Sequence, residues 1–270
     1  MKSLGLKIED AILLNKDLKK YIFYKNGKIR LDFKNKEALY LYNKMILKYV
    51  FNLEMDFHRD ALIPTPINRY LFIKNIFEER NIKNEVQKPH SQIKNILEIG
   101  TGSGIIAIMI AKYYNCNVYA TEVVKEYIKV AKKNVINNNL EDKIKIIDSK
   151  GKIIKGIPEL NNKKFDLIIS YPPFYSINSV PSKRSFGGAY AKEVELIGGG
   201  NYGENFSLKI IREGMEYISH GGIIGLMMPH KPKERRQILE REIKNLGLIL
   251  KTDEIKTGKR IRHIIKGYNF

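Results

Sequence analysis

The sequence predicts an α/β fold: a mostly parallel sheet of seven strands flanked by helices, preceded by a helical N-terminal extension. Three observations lead there. From about residue 96 onward, short apolar runs of strand length alternate with stretches of helical period. A glycine-rich turn, Gly100-Thr101-Gly102-Ser103-Gly104, joins the first such run to the first helix. The closing stretch "LILKTDEIKTGKRIRHIIKGYNF" reads as an antiparallel hairpin around a Gly-centred turn.

The elements follow in order. The start, "MKSLGLKIEDAILLNKDLKK", breaks its apolar positions with charge and lacks a small-residue cleavage site, so it reads as a folded segment rather than a signal peptide. "GKIRLDF" is a strand, and "KEALYLYNKMILKYV" a helix with Leu39, Tyr42, Ile46 and Tyr49 on one face. Thr65 is expected to cap a helix that opens with Pro66 and carries Arg69 in its first turns. The polar stretch "RNIKNEVQKPHSQ", residues 80–92, reads as a linker, dividing the chain into a module over 1–90 and the α/β domain over 91–270. Beyond it, "NILEIG" is a strand, "GIIAIMIAKYY" a helix, "CNVYATE" a strand, and Ile128, Ala131 and Val135 recur at helical spacing. "KIKII", "FDLIIS", "GGIIGLMMP" and the two arms of the hairpin complete the seven strands.

Composition narrows the function. The chain has 270 residues, 43% of them hydrophobic, enough for a full core. No apolar run approaches the roughly 18 residues that would cross a bilayer. A single cysteine, Cys116, excludes an internal disulfide and a cysteine zinc cluster, and points to a soluble, cytoplasmic protein. The formal charge of +19 attracts polyanions, nucleic acid foremost. The five histidines (58, 90, 220, 230, 263) show no ligand spacing, so no metal is expected, and no Ser-His-Asp or thiol arrangement suggests covalent catalysis.

The chemistry gathers at "LEIGTGSGI", residues 97–105. Its glycines remove side chains that would keep a ligand off the backbone. Dinucleotide sites favour G-x-G-x-x-G with a pyrophosphate on the helix N-terminus. This chain has G-x-G-x-G at Gly100, Gly102 and Gly104, with Glu98 just ahead, and an acid there suits a cationic ligand better than a diphosphate. Glu122 stands twenty residues after Gly102, where a carboxylate can bind both hydroxyls of a ribose. Together these describe a nucleoside with a cationic tail, and S-adenosylmethionine fits. In "DLIISYPPFYS", residues 166–176, the apolar run stops at Pro172-Pro173, because proline cannot donate to a ladder, and this holds aromatics stiffly at the strand end. In a doubly wound sheet that end faces the ligand held by residues 98–104.

Tyr171-Pro172-Pro173-Phe174 resembles the fourth motif of amino-methylating, S-adenosylmethionine-dependent methyltransferases, usually Asn, Asp or Ser followed by Pro-Pro-aromatic. In that group the aromatic stacks on a flipped base, while the polar residue and the first proline's carbonyl accept hydrogen bonds from the exocyclic amine. More narrowly, "GKIRLDFKNKEALYLYNKMIL", "LIPTPINRYLFI", "LEIGTGSG", "VYATEV", "AKKNVINNNLEDKIKII" and the double proline resemble, in that order, the methyltransferase-10-domain family. Its members include the bacterial large-subunit ribosomal RNA adenine-N6 methyltransferase and the human enzyme that methylates adenosine in a spliceosomal small nuclear RNA. The resemblance implies a Rossmann-like class I S-adenosylmethionine-dependent methyltransferase fold, structured RNA as partner, and an N-terminal module that helps form the RNA groove; a monomer is expected. It matches Arg69 to the arginine that holds the cofactor carboxylate, Gly100 and Gly104 to glycine-turn contacts, Glu122 to the ribose carboxylate, and Tyr171, Pro172, Pro173 and Phe174 to the catalytic motif.

This chain departs from the family at Tyr171, where the family writes Asn. A tyrosine hydroxyl can accept but is longer than an amide, and strand alternation turns Ser170 to the opposite face. Adenine, another base, slower turnover, and RNA binding without catalysis all stay open. The loop "INSVPSKRSFGGAYAKEVELIGGGNYG" is expected to be a lid with hinges at Gly187-Gly188 and Gly198-Gly199-Gly200 and a phosphate grip at Lys183-Arg184. "KTGKRIR" is either a phosphate contact or an ordinary solvated turn.

Overall fold

The computed structural model describes residues 4–78, 93–180, 192–258 and 260–270. The linker read at 80–92, and Lys183, Arg184, Gly187 and Gly188 of the loop, lie outside these residues.

The N-terminal part begins with α1 (Ile8–Leu14), the hairpin β1 (Ile22–Lys25) and β2 (Lys28–Leu31), and α2 (Lys36–Tyr49). Ala11, Ile12, Leu18, Leu31, Ala38 and Met45 close a small core of their own. The later turns of α2 and α3 (Pro66–Phe77) bury apolar side chains in the main core instead. Pro66 opens α3 with Thr65 at the cap position, but the Thr65 side chain makes no capping bond. Pro66 brings a preset φ and no N–H to satisfy, which lessens what the cap must supply.

Seven strands form the central sheet: β3 (Asn95–Ile99), β4 (Asn117–Glu122), β5 (Ile144–Asp148), β6 (Phe165–Ser170), β7 (Ile218–Pro229), β8 (Ile249–Thr257) and β9 (Arg260–Asn269). Their order is β5-β4-β3-β6-β7-β9-β8, with β9 antiparallel to both neighbours and the other pairings parallel. The alternation of side chains sorts the core into two layers. Leu167 and Ile169 of β6 join the layer under α3 and α4 (Ile105–Tyr114), while Ile168 joins the layer opposite. Helices α5 (Lys125–Asn137), α6 (Glu193–Leu196), α7 (Asn205–Gly214) and α8 (Lys233–Asn245) complete the flanks. Among the described residues no helix is long and apolar enough to cross a membrane.

The placement of α3 matters for the site. Gly225 of β7 leaves room for Ile76, whose Cδ1 would stand 2.8 Å from a Cβ there, so the helix lies close on the sheet. Lys266 of β9 is fully buried and donates to Asn75 Oδ1 (3.0 Å) and Asp253 Oδ2 (2.5 Å), fixing the helix to the closing hairpin. Six residues before Asn75, Arg69 then sits roughly 9 Å further along the axis, beside the carboxyl end of the strands.

Candidate active site

A cavity of about 260 Å³ opens at the carboxyl ends of β3, β4 and β6, where the strand order turns from β3 toward β4 on one side and β6 on the other. Arg69 and Glu98 wall it, Gly100 and Gly102 form one lip, Glu122 lies at one end, and Tyr171 to Phe174 lie across from them. Gly104 alone of the expected residues is set back from the cavity.

The glycine turn is shaped by backbone bonds. The N–H groups of Gly100 and Thr101 both donate to the Thr121 carbonyl, at 3.0 and 2.9 Å. Gly100 and Gly102 take φ values of +73° and +58°, and a Cβ at either would project into open space, so the turn is a cradle that side chains would strain and fill. Gly104, at φ +85°, stands at the start of α4, and its missing Cβ would lie 3.5 Å from Ala131. Its left-handed backbone conformation favours glycine at the head of α4, behind the lip of the cavity.

Two acids face this turn. Glu122 accepts from the N–H of Gly102 (2.8 Å) with Oε2, and from Val123 (2.8 Å) and Val124 (3.0 Å) with Oε1. Three fixed donors orient the carboxylate; two of them engage Oε1, and Oε2 keeps a lone pair for a hydroxyl. Glu98 lies on the face of β3 shared with Ile96 and is 2% exposed. Its Oε2 accepts from Thr101 Oγ1 (2.6 Å) and Ala107 N (3.0 Å), yet burial prevails and pushes its pKa up to about 7.

At the end of β6, Ser170 is fully buried and donates to the Ile99 carbonyl at 2.7 Å, so it faces away from the cavity as alternation requires. Tyr171 is engaged on three sides. Its hydroxyl oxygen accepts from Arg262 Nε at 2.8 Å, its ring lies under the Arg69 guanidinium (Cζ 4.1 Å from the centroid), and Phe72 meets it edge-on. Asparagine is too short for these contacts; the phenol spans from α3 to β9. Arg262 of the basic tip is thus tied to the site through Tyr171, a contact that neither a phosphate-binding turn nor a solvated bend predicts.

Phe174 is held from behind. Its N–H and that of Tyr175 donate to the Leu196 carbonyl, at 3.2 and 2.8 Å, and Gly198 N donates to Tyr175 O at 2.9 Å. Arg235, 2% exposed, places its guanidinium carbon 5.4 Å from the Phe174 centroid and donates to the Tyr202 carbonyl at 2.7 Å. Burial lowers the Arg235 pKa to about 10. The hinge expected at Gly198 to Gly200 is instead part of this buttress. A Cβ on Gly198 would overlap the Gly203 and Pro173 carbonyls, and one on Gly203 would overlap the Phe174 carbonyl.

Part of the wall had no motif to announce it. Phe57, His58 and Leu62 come from an irregular segment. Asn134 of α5 holds that segment by exchanging bonds with Asp56 (2.8 and 2.9 Å) and ties it to the turn through Ser103 O (2.8 Å). The signal was an asparagine on the apolar face defined by Ala131 and Val135. Glu195 of α6 accepts from Leu62 N (3.1 Å) and Tyr127 Oη (2.9 Å), joining the loop after the motif to the opposite wall; burial raises its pKa.

The β7–β9 register also unites two histidines that are 33 residues apart. His230, His263 and Glu254 present ligand atoms within 4.8 Å of one another. Arg236 Nη1 lies 2.8 Å from His263 Nε2, so a cation already occupies the nitrogen a metal would need.

The residues present fit S-adenosylmethionine. An open glycine cradle, an oriented carboxylate hydrogen-bonded to that turn, a buried acid and a half-buried arginine share one cavity. The chain matches the methyltransferase-10 family, described as RNA methyltransferase, over residues 8–190. A putative methyltransferase of Methanocaldococcus jannaschii, MJ0046, is 58% identical over 98% of each chain. A U6 small nuclear RNA (adenine-(43)-N(6))-methyltransferase of Drosophila pseudoobscura is 32% identical over 57% of this chain and 50% of its own. Among solved structures, the METTL16 catalytic domain in complex with MAT2A 3′UTR hairpin 6 superposes with a TM-score of 0.77 at 22% identity, covering 98% of this chain and 93% of that one. The N-terminal domain of human METTL16 in complex with SAH gives 0.71 at 22% identity, over 96% and 92%. The family match spans more than half of the chain, and the chain belongs to the methyltransferase-10 family of RNA methyltransferases.

Proposed function

We propose that this protein transfers a methyl group from S-adenosylmethionine to an exocyclic base nitrogen of a structured RNA, with adenine N6 the first target to test. The observation that carries the reading is a single cavity with the Gly102–Glu122 contact on one side and the Pro172-Pro173-Phe174 strand end on the other. When bound, the cofactor supplies an electrophilic methyl on a sulfonium. Glu122 takes the ribose hydroxyls, Arg69 the carboxylate, and Glu98 the ammonium. Phe174, braced by Arg235, offers a ring face to a flipped base, and the Pro172 carbonyl accepts from the target amine. Attack by an amine on a sulfonium needs alignment more than acid–base help, and the proline pair supplies stiffness. The proton released by the amine passes to water.

The charge of +19 supports RNA over a protein or small-molecule amine. Residues 1–90 serve as the RNA-gripping module in this reading, with the β1–β2 hairpin presenting exposed Phe23 and Tyr24 beside Lys25 and Lys28. The engagement of Tyr171 with Arg262 favours a second reading, an RNA-binding member of the family with weak turnover or a different base. Incubation with methyl-labelled cofactor and total RNA, with protein as control, followed by digestion to nucleosides, decides. Label in N6-methyladenosine supports the first reading; label in another nucleoside moves the target; RNA binding without label favours the second.

A further inference from the structure

We propose that Tyr171 is a positioning residue for the cofactor's carboxylate, holding Arg69 in place, and not a reader of the target base. This rests on the reading that S-adenosylmethionine occupies the cavity. Tyr171 lies between two cations. Arg69, from the first turns of α3, covers its ring at 4.1 Å, and Arg262, from β9, binds its hydroxyl at 2.8 Å. Phe72, one turn along α3, closes on the ring at 6.4 Å and 86°. Arg262 also donates to Thr257 Oγ1 at 3.3 Å, which steadies the hairpin arm that grips the phenol.

A guanidinium stacked on an aromatic face keeps its N–H fork directed to the side, a geometry suited to a carboxylate. Like charges so close are tolerated only around something that separates them and something that neutralises them. The phenol separates them. The neutralising charge inside the fold is weak, because Glu98, the buried acid nearby, is itself driven toward its neutral form by burial. Burial, with Arg262 adding to it, likewise disfavours the charge on Arg69. The arrangement therefore takes up an anion at Arg69, and the cofactor's carboxylate is the anion the cavity admits beside the glycine cradle. With one Tyr171 lone pair given to Arg262, the Pro172 carbonyl becomes the main acceptor for the target amine.

Calorimetry with two ligands tests this: S-adenosylhomocysteine, which carries the carboxylate, and 5′-methylthioadenosine, which shares the nucleoside and thioether but has no amino acid. Tyr171→Asn is expected to weaken the first by roughly 5- to 30-fold, the range of a desolvated cation–π contact, and to leave the second within about 3-fold. Tyr171→Phe, which keeps the ring under Arg69, retains most of the affinity, and Tyr171→Asn adds nothing once Arg69→Met is present. Equal loss for both ligands, no loss for either, or additivity with Arg69→Met overturns the proposal. A wild-type protein that binds the second ligand but not the first overturns it too. Binding of neither ligand by the wild type removes the cofactor reading, and the proposal with it.

Discussion

Glu98 should make cofactor affinity depend on pH. Burial pushes its pKa up to about 7 in the free protein, although Thr101 and the Ala107 N–H hydrogen-bond it. The ammonium of the bound amino-acid tail favours the ionised acid and returns it toward the ordinary value of 4.5. Linkage then weakens binding by roughly 30-fold at about pH 5.5 relative to about pH 8, and about 0.9 proton leaves per ligand bound near pH 6. Titration calorimetry of S-adenosylhomocysteine at both pH values, in buffers of different ionisation heat, measures affinity and proton release together. Glu98→Gln should flatten the profile, and 5′-methylthioadenosine, lacking the ammonium, should show little slope. A wild-type change under about 3-fold, or the same slope in Glu98→Gln, refutes the assignment of Glu98 to the ammonium.

The same acid predicts a stability trend. Folding favours protonated Glu98, so its contribution is full below about pH 4.5 and is lost as pH rises through about 7, on the order of 3 kcal/mol; urea unfolding of the ligand-free protein should show the loss and Glu98→Gln should not. Glu122→Ala removes the ribose acceptor and the partner of three backbone N–H groups, so both cofactor analogues should weaken by about 10-fold or more in calorimetry. Phe174→Ala should lower kcat/KM for RNA by about 5- to 150-fold, the range of one base–aromatic stack, with S-adenosylhomocysteine binding unchanged. Gly203→Ala would drive a Cβ into the Phe174 carbonyl at a φ of +83°, so its transfer rate should fall further than its cofactor affinity, with a lowered Tm.

Much of this arrangement was legible in the residues. Strands buried on both faces leave continuous apolar runs, as at Leu167-Ile168-Ile169, and a positive-φ turn leaves glycines, as at Gly100 and Gly102. Glu122 was found because the distance from glycine turn to next strand tip is set by one helix and one strand. What escaped depends on contacts remote in sequence. The direction of the Tyr171 ring is decided by Arg262, 91 residues away, and by α3, whose approach rests on Gly225. The His230–His263 pair exists only through the β7–β9 register, and the irregular segment around Phe57 has no period to read because Asn134 shapes it. Gly198 suggests a hinge in the sequence because glycine marks both freedom and close approach; here the carbonyls of Pro173 and Gly203 decide for close approach.

The distribution of charge also explains how one protein could receive a cation and a polyanion side by side. A chain of net +19 repels a ligand carrying a sulfonium and an ammonium unless the field is reversed locally. Glu98, Glu122 and Glu195 all wall the cavity and are all largely withdrawn from solvent, and Arg69 walls it where the proposed cofactor would place its carboxylate. Buried carboxylates are screened little by salt, so they act strongly at short range and hardly at all on the outer surface. The excess of lysine and arginine over acid keeps the outer surface positive. Tyr171 stands where the two regimes meet, with Arg69 of the cavity on its ring and Arg262 of the basic hairpin on its hydroxyl, which is why a residue that looks like a flaw in the catalytic motif has a structural reason to be aromatic.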